Sequence, residues 1–413
     1  MSKSEVIGLS KQRLARIATA FKGDIDAGII PGAVALVARR GELEYLEAFG
    51  YRDREQKLPM AVDSIFRIAS MTKPMVSVSI MMLVEEGLIR LVNPVSTYLP
   101  ELKNLQVGVE KTDAAGNRTL ALEPVRREMT VQDLLRHTSG VTYGQFGDSL
   151  VKQAYRAANV FDPGQTNAEF VTKLSKLPLA NQPGEVWDYS MSTDVLGRLV
   201  EVVSGMDLDR FIASRITGPL DMRNTGFMVA VENAGRIAEA QADPKTGERP
   251  PMSRTLTTRP KFLSGGGGMV STAPDYRRFA QMLLNGGTLE GVRIVSRKTV
   301  ELMSSDHLPP GIAFSGTTRA QFEESAPIPE FGQGFGLGFC VRKEAGRNPS
   351  PGSVGVFYWS GVHGTYFWID PKEQLIGVLM LCTRTCAGIT ARSCGSSSTR
   401  PLPINCGRLT AAD

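Results

Sequence analysis

Apolar and polar positions recur along this chain with two different periods, and the period changes three times. Near the start, Leu14, Ile17, Ala18, Phe21 and Ile25 return every three or four residues among charged neighbours, which predicts an amphipathic helix. Two apolar runs follow, residues 32–40 and 43–50, flanking Gly41 and Glu42; short runs across a glycine-containing turn predict an antiparallel hairpin. From Pro74 to about Ala240 the pattern becomes mostly helical. Ile80, Met81, Leu83 and Val84 have the spacing of a buried helix, Thr130 offers a side-chain cap, and Val195, Leu196, Leu199, Val200 and Val203 keep helical spacing until Gly205. Strand character returns late, at residues 334–341, 354–359, 365–369 and 375–381, joined by short polar turns.

A hairpin at one end and a meander at the other, with helices between, predict an α/β fold of the α+β type: one antiparallel sheet assembled from both ends, flanked by helices, with a mostly helical insertion. The expected division is residues 1–90 with 245–413 against 91–244, with an active cleft between the two. From Thr383 onward there are almost no large apolar residues and no periodicity, so no packed face is expected there.

Composition narrows the class. At 413 residues the chain suits two lobes, and 42% hydrophobic with 22% charged residues describes an ordinary soluble globular protein. The net charge of +5 is spread along the chain, without a basic run or interleaved aromatics, so no nucleic-acid partner is expected. Neither a signal-peptide core nor an apolar stretch long enough to span a bilayer is seen, which predicts a cytoplasmic protein with no membrane partner. Four of five cysteines, Cys382, Cys386, Cys394 and Cys406, crowd the last tenth of the chain, but the three histidines lie elsewhere, so neither a metal nor an organic cofactor is expected.

The chemistry centres on Ser70-Met71-Thr72-Lys73. Three residues is just under one helical turn, so the hydroxyl and the amine share a face, and Ser70 falls at a helix N-terminus that favours a developing anion. About one or two Ser-x-x-Lys matches are expected by chance in a chain of this length, and Ser149-Leu150-Val151-Lys152 is a second. It has no buried run behind it and reads as a solvated lysine beside an ordinary serine. A base for Ser70 is less obvious. His137 lies at a helix end and reads as a capping or packing residue, His307 as loop, and His363 as a pocket-lining position near a strand start. Without a Gly-x-Ser-x-Gly turn the α/β-hydrolase arrangement lacks its nucleophile. A lysine with a tyrosine can pass a proton without imidazole, because an ammonium stabilises a neighbouring tyrosinate, and Tyr189, after the Pro183-Gly184 turn, is the candidate.

Five ordered motifs now stand together: Ser70-Met71-Thr72-Lys73, residues Leu134 to Gly140 (LLRHTSG), Pro183-Gly184 with Tyr189-Ser190, residues Pro219 to Phe227 (PLDMRNTGF), and Trp359-Ser360-Gly361. Over roughly residues 10–382 the chain resembles the serine β-lactamase and penicillin-binding-protein superfamily, and it looks most like the class C β-lactamase-like esterases called family VIII carboxylesterases. The resemblance implies Ser70 as acylated nucleophile, Lys73 as its proton-relay partner, Tyr189 as base and acid, and the N–H groups of Ser70 and Val362 as the oxyanion hole. Substrate-binding residues would be Tyr143, Trp187, Trp359, Gly361 and His363, with Phe227 either pocket or core. Relatives usually carry Tyr-x-Asn and Lys-Thr-Gly triplets, and members usually finish with a helix packed on the sheet. Here Met191 and Trp359 stand at the Asn and Lys positions, and the terminal helix is unreadable. The losses favour a small neutral ester over a substrate with an amide and a carboxylate. The expected function is therefore a serine carboxylesterase, with a β-lactamase or D-alanyl-D-alanine carboxypeptidase, or an acyltransferase of the same fold, as the alternatives; weak activity on cephalosporins fits the same trio. A non-catalytic binding module fits least, since all three positions are intact.

Overall fold

The computed structural model describes residues 8–242, 246–249, 255–316 and 327–383. The expected featureless tail, its cysteines from Cys386 onward, and the position of a terminal helix fall outside the described residues. Cys340 and Cys382 are buried.

The first helix, α1 (Lys11–Asp26), begins where Ser10 Oγ accepts the Arg13 N–H and buries Leu14, Ile17, Phe21 and Ile25 on one stripe. Each such side chain contributes about 1.5–3 kcal/mol when fully taken from water. It packs on β1 (Gly32–Arg39) and β2 (Glu42–Asp53). Their turn is Arg40-Gly41, both at positive φ, one residue earlier than the sequence suggests.

The main sheet has eight strands. Adding β3 (Leu58–Pro59), β4 (Gln333–Phe335), β5 (Cys340–Arg342), β6 (Phe357–Ser360), β7 (Tyr366–Asp370) and β8 (Leu375–Leu381), the order is β4-β5-β6-β7-β8-β1-β2-β3, antiparallel throughout. The two ends of the described chain meet at the β1–β8 pair, where Ala33 faces Leu381 and Arg39 faces Leu375. Both strands are buried along almost their whole length, so the sheet is covered on both faces.

Two expectations need correction. Residues 334–341 are not one strand but the hairpin β4–β5, because the Gly336 N–H bonds the Phe339 carbonyl and closes a tight turn. The mostly helical stretch also contains a two-stranded hairpin, Gln106–Thr112 with Arg118–Pro124. Its residues are mostly half-exposed or exposed, so it lacks the apolar alternation that would reveal it.

The helix after Ser70, α2 (Thr72–Glu85), is buried at every position from Thr72 to Leu83. It is apolar nearly all round, as befits a helix at the centre of the molecule. Of the other helices, α3 (Val131–Leu135) packs on α5 (Ser192–Ser204), which packs on α2, α4 (Leu150–Ala157) packs on the hairpin at 106–124, and α6 (Ala273–Leu284) packs on β1, β7 and β8. No helix among the described residues is long and apolar enough to cross a membrane.

Candidate active site

Ser70 lies in a one-turn 3-10 helix, Ala69–Met71, that runs straight into α2. Ala69 has φ +43°, a left-handed conformation that costs a non-glycine residue roughly 1 kcal/mol and sharply redirects the chain. Surrounding bonds hold the turn in place. The Ile68 N–H bonds the Met269 carbonyl, Thr72 Oγ1 accepts the Met269 N–H, and Tyr276 Oη donates to the Met71 carbonyl.

Around Ser70 Oγ the structure gathers the residues that the sequence singled out. Lys73 is 2% exposed, and its three N–H bonds have three acceptors: Ser70 Oγ at 3.2 Å, Tyr143 Oη at 3.2 Å and the Gly266 carbonyl at 2.6 Å. Tyr189 Oη donates to Ser70 Oγ at 2.6 Å, and Lys73 Nζ stands 4.6 Å from the centre of the Tyr189 ring. Cationic nitrogen over that ring adds electrostatic attraction to the hydrogen bonds. Burial, with the neighbouring Tyr189 and Asp194, pushes the Tyr143 phenol well above its ordinary value, so it stays protonated and can both accept from Lys73 and donate onward.

The motif at 134–140 positions this cluster without touching Ser70. Asp133, just before it, is fully buried and accepts bonds from Arg127, Arg136, Thr138 and both the N–H and hydroxyl of Thr130. Burial alone would raise its carboxyl, but Arg127 and Thr130 outweigh that and hold it at about 2. The chain then turns at His137, φ +58°. His137 bonds Ser190 Oγ through Nδ1 at 3.2 Å and packs its ring 5.0 Å from that of Tyr189. It is thus the packing histidine expected from sequence, and burial together with the Lys73 charge keeps it neutral, its pKa well below the ordinary value. His307 bonds Gln132 and the Leu302 carbonyl.

The end of β6 closes the other side. A Cβ on Gly361 would overlap the Ile68 carbonyl oxygen and Thr365 Oγ1, so only glycine lets this strand end lie against the nucleophile turn. Thr365 Oγ1 donates to the same Ile68 carbonyl, and the turn bearing Val362 is closed by a Gly364 N–H bond to Gly361.

The expected wall residues divide. Tyr143 and His363 are half-buried, and His363 is pushed down to about 4 by burial and then by Arg67. Trp359 is 4% exposed and packs on Tyr189 and Phe335, with ring centres 5.4 and 5.3 Å away. Trp187 is fully buried behind Tyr189, stacked at 6.4 Å, and its short strand pairs with Ala313–Phe314; it supports the Tyr189 ring and does not face the cleft. Phe227 is likewise core, 3% exposed against Gly268. A cavity of about 170 Å³ lies beside Met191, with Gly144, Tyr155, Val160 and Phe161 also in its wall.

Sequence reasoning missed Gly266, Asp194 and the role of Tyr143 as a partner of Lys73. The signal for the first was a run of four glycines, Gly265 to Gly268, which marks close backbone approach. The second Ser-x-x-Lys also needs correction. Ser149 caps α4 through the Lys152 N–H, and Lys152 is not solvated but 6% exposed. Among the described residues no group of three or more His, Cys, Asp or Glu could hold a metal ion.

Comparison with known proteins identifies the family. Residues 17–385 match the Beta-lactamase family. Protein Rv1367c of Mycobacterium tuberculosis is 38% identical over 360 residues, 85% of each chain. Esterase EstB of Burkholderia gladioli is 29% identical over 394 residues, 91% of this chain and 92% of EstB. The solved structure of EstCE1, described as a hydrolase with promiscuous acyltransferase activity, superposes with a TM-score of 0.72 at 27% identity, covering 92% of this chain and 96% of EstCE1. With a match that spans the sheet, the nucleophile turn and the helices between, the chain belongs to the β-lactamase family, as a serine β-lactamase-like member of the esterase kind.

Proposed function

We propose that this protein is a carboxylesterase of the family VIII type that hydrolyses small neutral esters through an acyl-enzyme on Ser70. The observation that carries the reading is the pair of contacts on Ser70 Oγ, from Tyr189 at 2.6 Å and from Lys73 at 3.2 Å. In the proposed cycle Tyr189 first loses its phenolic proton to solvent, before the ester binds, and the Lys73 ammonium stabilises the phenolate. The phenolate takes the Ser70 proton as Oγ bonds the ester carbon, and it returns that proton to the departing alkoxide. In the second half it takes a proton from the attacking water and gives it back to Ser70 as the acid leaves. The N–H groups of Ser70 and Val362 hold the oxyanion in both halves.

Trp359 supports the choice of a neutral substrate. An indole packed on Tyr189 offers an apolar face and one N–H, where a lysine would pair with a carboxylate. Met191 similarly stands where relatives carry an amide that would bind a substrate amide. The relatives named esterase support hydrolysis, and the acyltransferase activity named for EstCE1 supports transfer to an alcohol as a second outcome from one acyl-enzyme.

The test is kcat/KM for p-nitrophenyl esters of increasing chain length, with and without a competing alcohol, against benzylpenicillin. Short esters should be strongly preferred, and Trp359→Lys should narrow the gap, a desolvated ion pair supplying on the order of a few kcal/mol. Benzylpenicillin turned over as efficiently as p-nitrophenyl butyrate would replace the esterase reading with a β-lactamase.

A further inference from the structure

Among the described residues, Asp194 is the carboxylate with a buried oxygen that has no hydrogen-bond partner. It is 1% exposed, in the first turn of α5, five residues after Tyr189. Its Oδ1 accepts the Ser264 hydroxyl at 2.5 Å and the Gly266 N–H at 3.0 Å. Gly266 in turn presents its carbonyl to Lys73 Nζ, the shortest contact that the ammonium makes. A Cβ on Gly266 would overlap the Asp194 carboxylate, so glycine is what allows the carboxylate to sit directly behind the peptide that Lys73 holds.

Resting on the proton relay proposed above, we infer that Asp194 is the positioning residue of Lys73: it fixes the Gly266 peptide that aims the ammonium at Ser70, and its charge sets the pH at which Ser70 becomes nucleophilic. The charge argument follows from what faces Lys73. From the loop after α3 come His137, held neutral by burial, and Tyr143, held as a phenol; from before α5 comes Tyr189; from α5 itself comes Asp194. Burial raises the Asp194 carboxyl above its ordinary value, and the Lys73 charge, Ser264 and the Gly266 N–H offset only part of that rise. A carboxylate in this low-dielectric setting favours a cationic neighbour, so neutralising it should move the onset of Ser70 labelling to lower pH.

The experiment reads the rate at which a fluorophosphonate labels Ser70, followed by intact mass between pH 5 and 10 as roughly the span of the relay's ionisations. In Asp194→Asn, which keeps the shape of the side chain, the acid limb should move to lower pH by roughly one unit and the plateau rate should fall about tenfold. Ser264→Ala, which leaves the charge in place, should slow labelling with both limbs unmoved. Should Asp194→Asn fail to fold, Asp194→Glu replaces it: the charge stays and its position shifts, so the limb should stay and the plateau fall. An Asp194→Asn profile with its limbs at the wild-type pH, whatever its rate, or a moved limb in Asp194→Glu, overturns the inference. A wild-type protein not labelled at Ser70 instead overturns the proposed function on which it rests.

Discussion

The two Ser-x-x-Lys stretches of this chain are alike in sequence and opposite in use. In both, the lysine is buried, 2% exposed at Lys73 and 6% at Lys152, so removal from water is not what separates them. The serine is. Ser149 stands before its helix in extended conformation, and its Oγ is occupied by the Lys152 N–H, one of the donors that a helix start leaves open. Ser70 stands inside a 3-10 turn already continuous with its helix, so no cap is required of it and Oγ is left to Lys73 and Tyr189. The environments of the amines differ as well. Lys73 meets two phenols, a carbonyl and, behind it, Asp194, whereas Lys152 is pushed down mainly by burial, with Asp188 opposing and Arg156 adding to the shift. Spacing supplies a hydroxyl and an amine; the groups that converge on them from distant sequence set the two serines apart, and on them rests the proposal that Ser70 is the nucleophile.

The largest effect expected from breaking this contrast is at the serines. Ser70→Ala should lower ester turnover by roughly 10⁴-fold or more, as removal of a covalent nucleophile does. Ser149→Ala should leave turnover unchanged and cost about 1 kcal/mol of stability through the lost cap, read as a lower melting temperature. A fluorophosphonate adduct mapped to Ser149 would reverse the assignment.

Next come the amines and their partners. Lys73→Ala and Tyr189→Phe should each lower kcat by at least ~10²-fold, the scale for a positioned acid–base group, while Lys152→Met should leave kcat little changed. His137→Asn sharpens the point: a packing role predicts a small loss of kcat, and a folded but inactive variant would restore a histidine base.

The smallest effect is on stability in acid, and it involves the histidine packed beside the first site. His137 and His363 both have folded values below the ordinary 6.5, His363 at about 4. Between about 6.5 and about 4 the unfolded chain therefore binds more protons, so stability is greatest above this window and falls as pH drops through it. Melting temperatures across the window measure the slope, and His363→Asn should flatten part of it. Asp133, at about 2 against an ordinary 3.8, adds a second loss that begins only below about 3.8, as pH falls toward 2.

Legibility followed the range of the interactions. The hairpin at residues 32–50 and the strands after Phe357 could be read because burial on a sheet imposes an apolar pattern locally. The hairpin at 106–124 could not, because a surface ribbon is held by its backbone bonds and needs no such pattern. Ser70, Lys73 and Tyr189 were legible from spacing and motif. Trp187 was expected at the wall and Phe227 was left open between pocket and core, because an aromatic beneath a site and one lining it carry the same composition signal; only the packing behind Tyr189 and against Gly268 decides them.

By itself, then, the sequence determined the elements whose cause lies within a few residues: the stripe of α1, the buried length of α2, the alternation of the core strands, and a serine and lysine one turn apart. Tertiary structure alone decided which serine is free to react and which lysine is aimed at it. The decisive partners, Tyr143, Tyr189, Asp194 and Gly266, come from 70 to 193 residues away from Lys73 or Ser70, or reach Lys73 only through Gly266. Hydrogen bonds and charges act over a few ångströms in space, and no periodicity along the chain records which distant groups folding will bring within that reach.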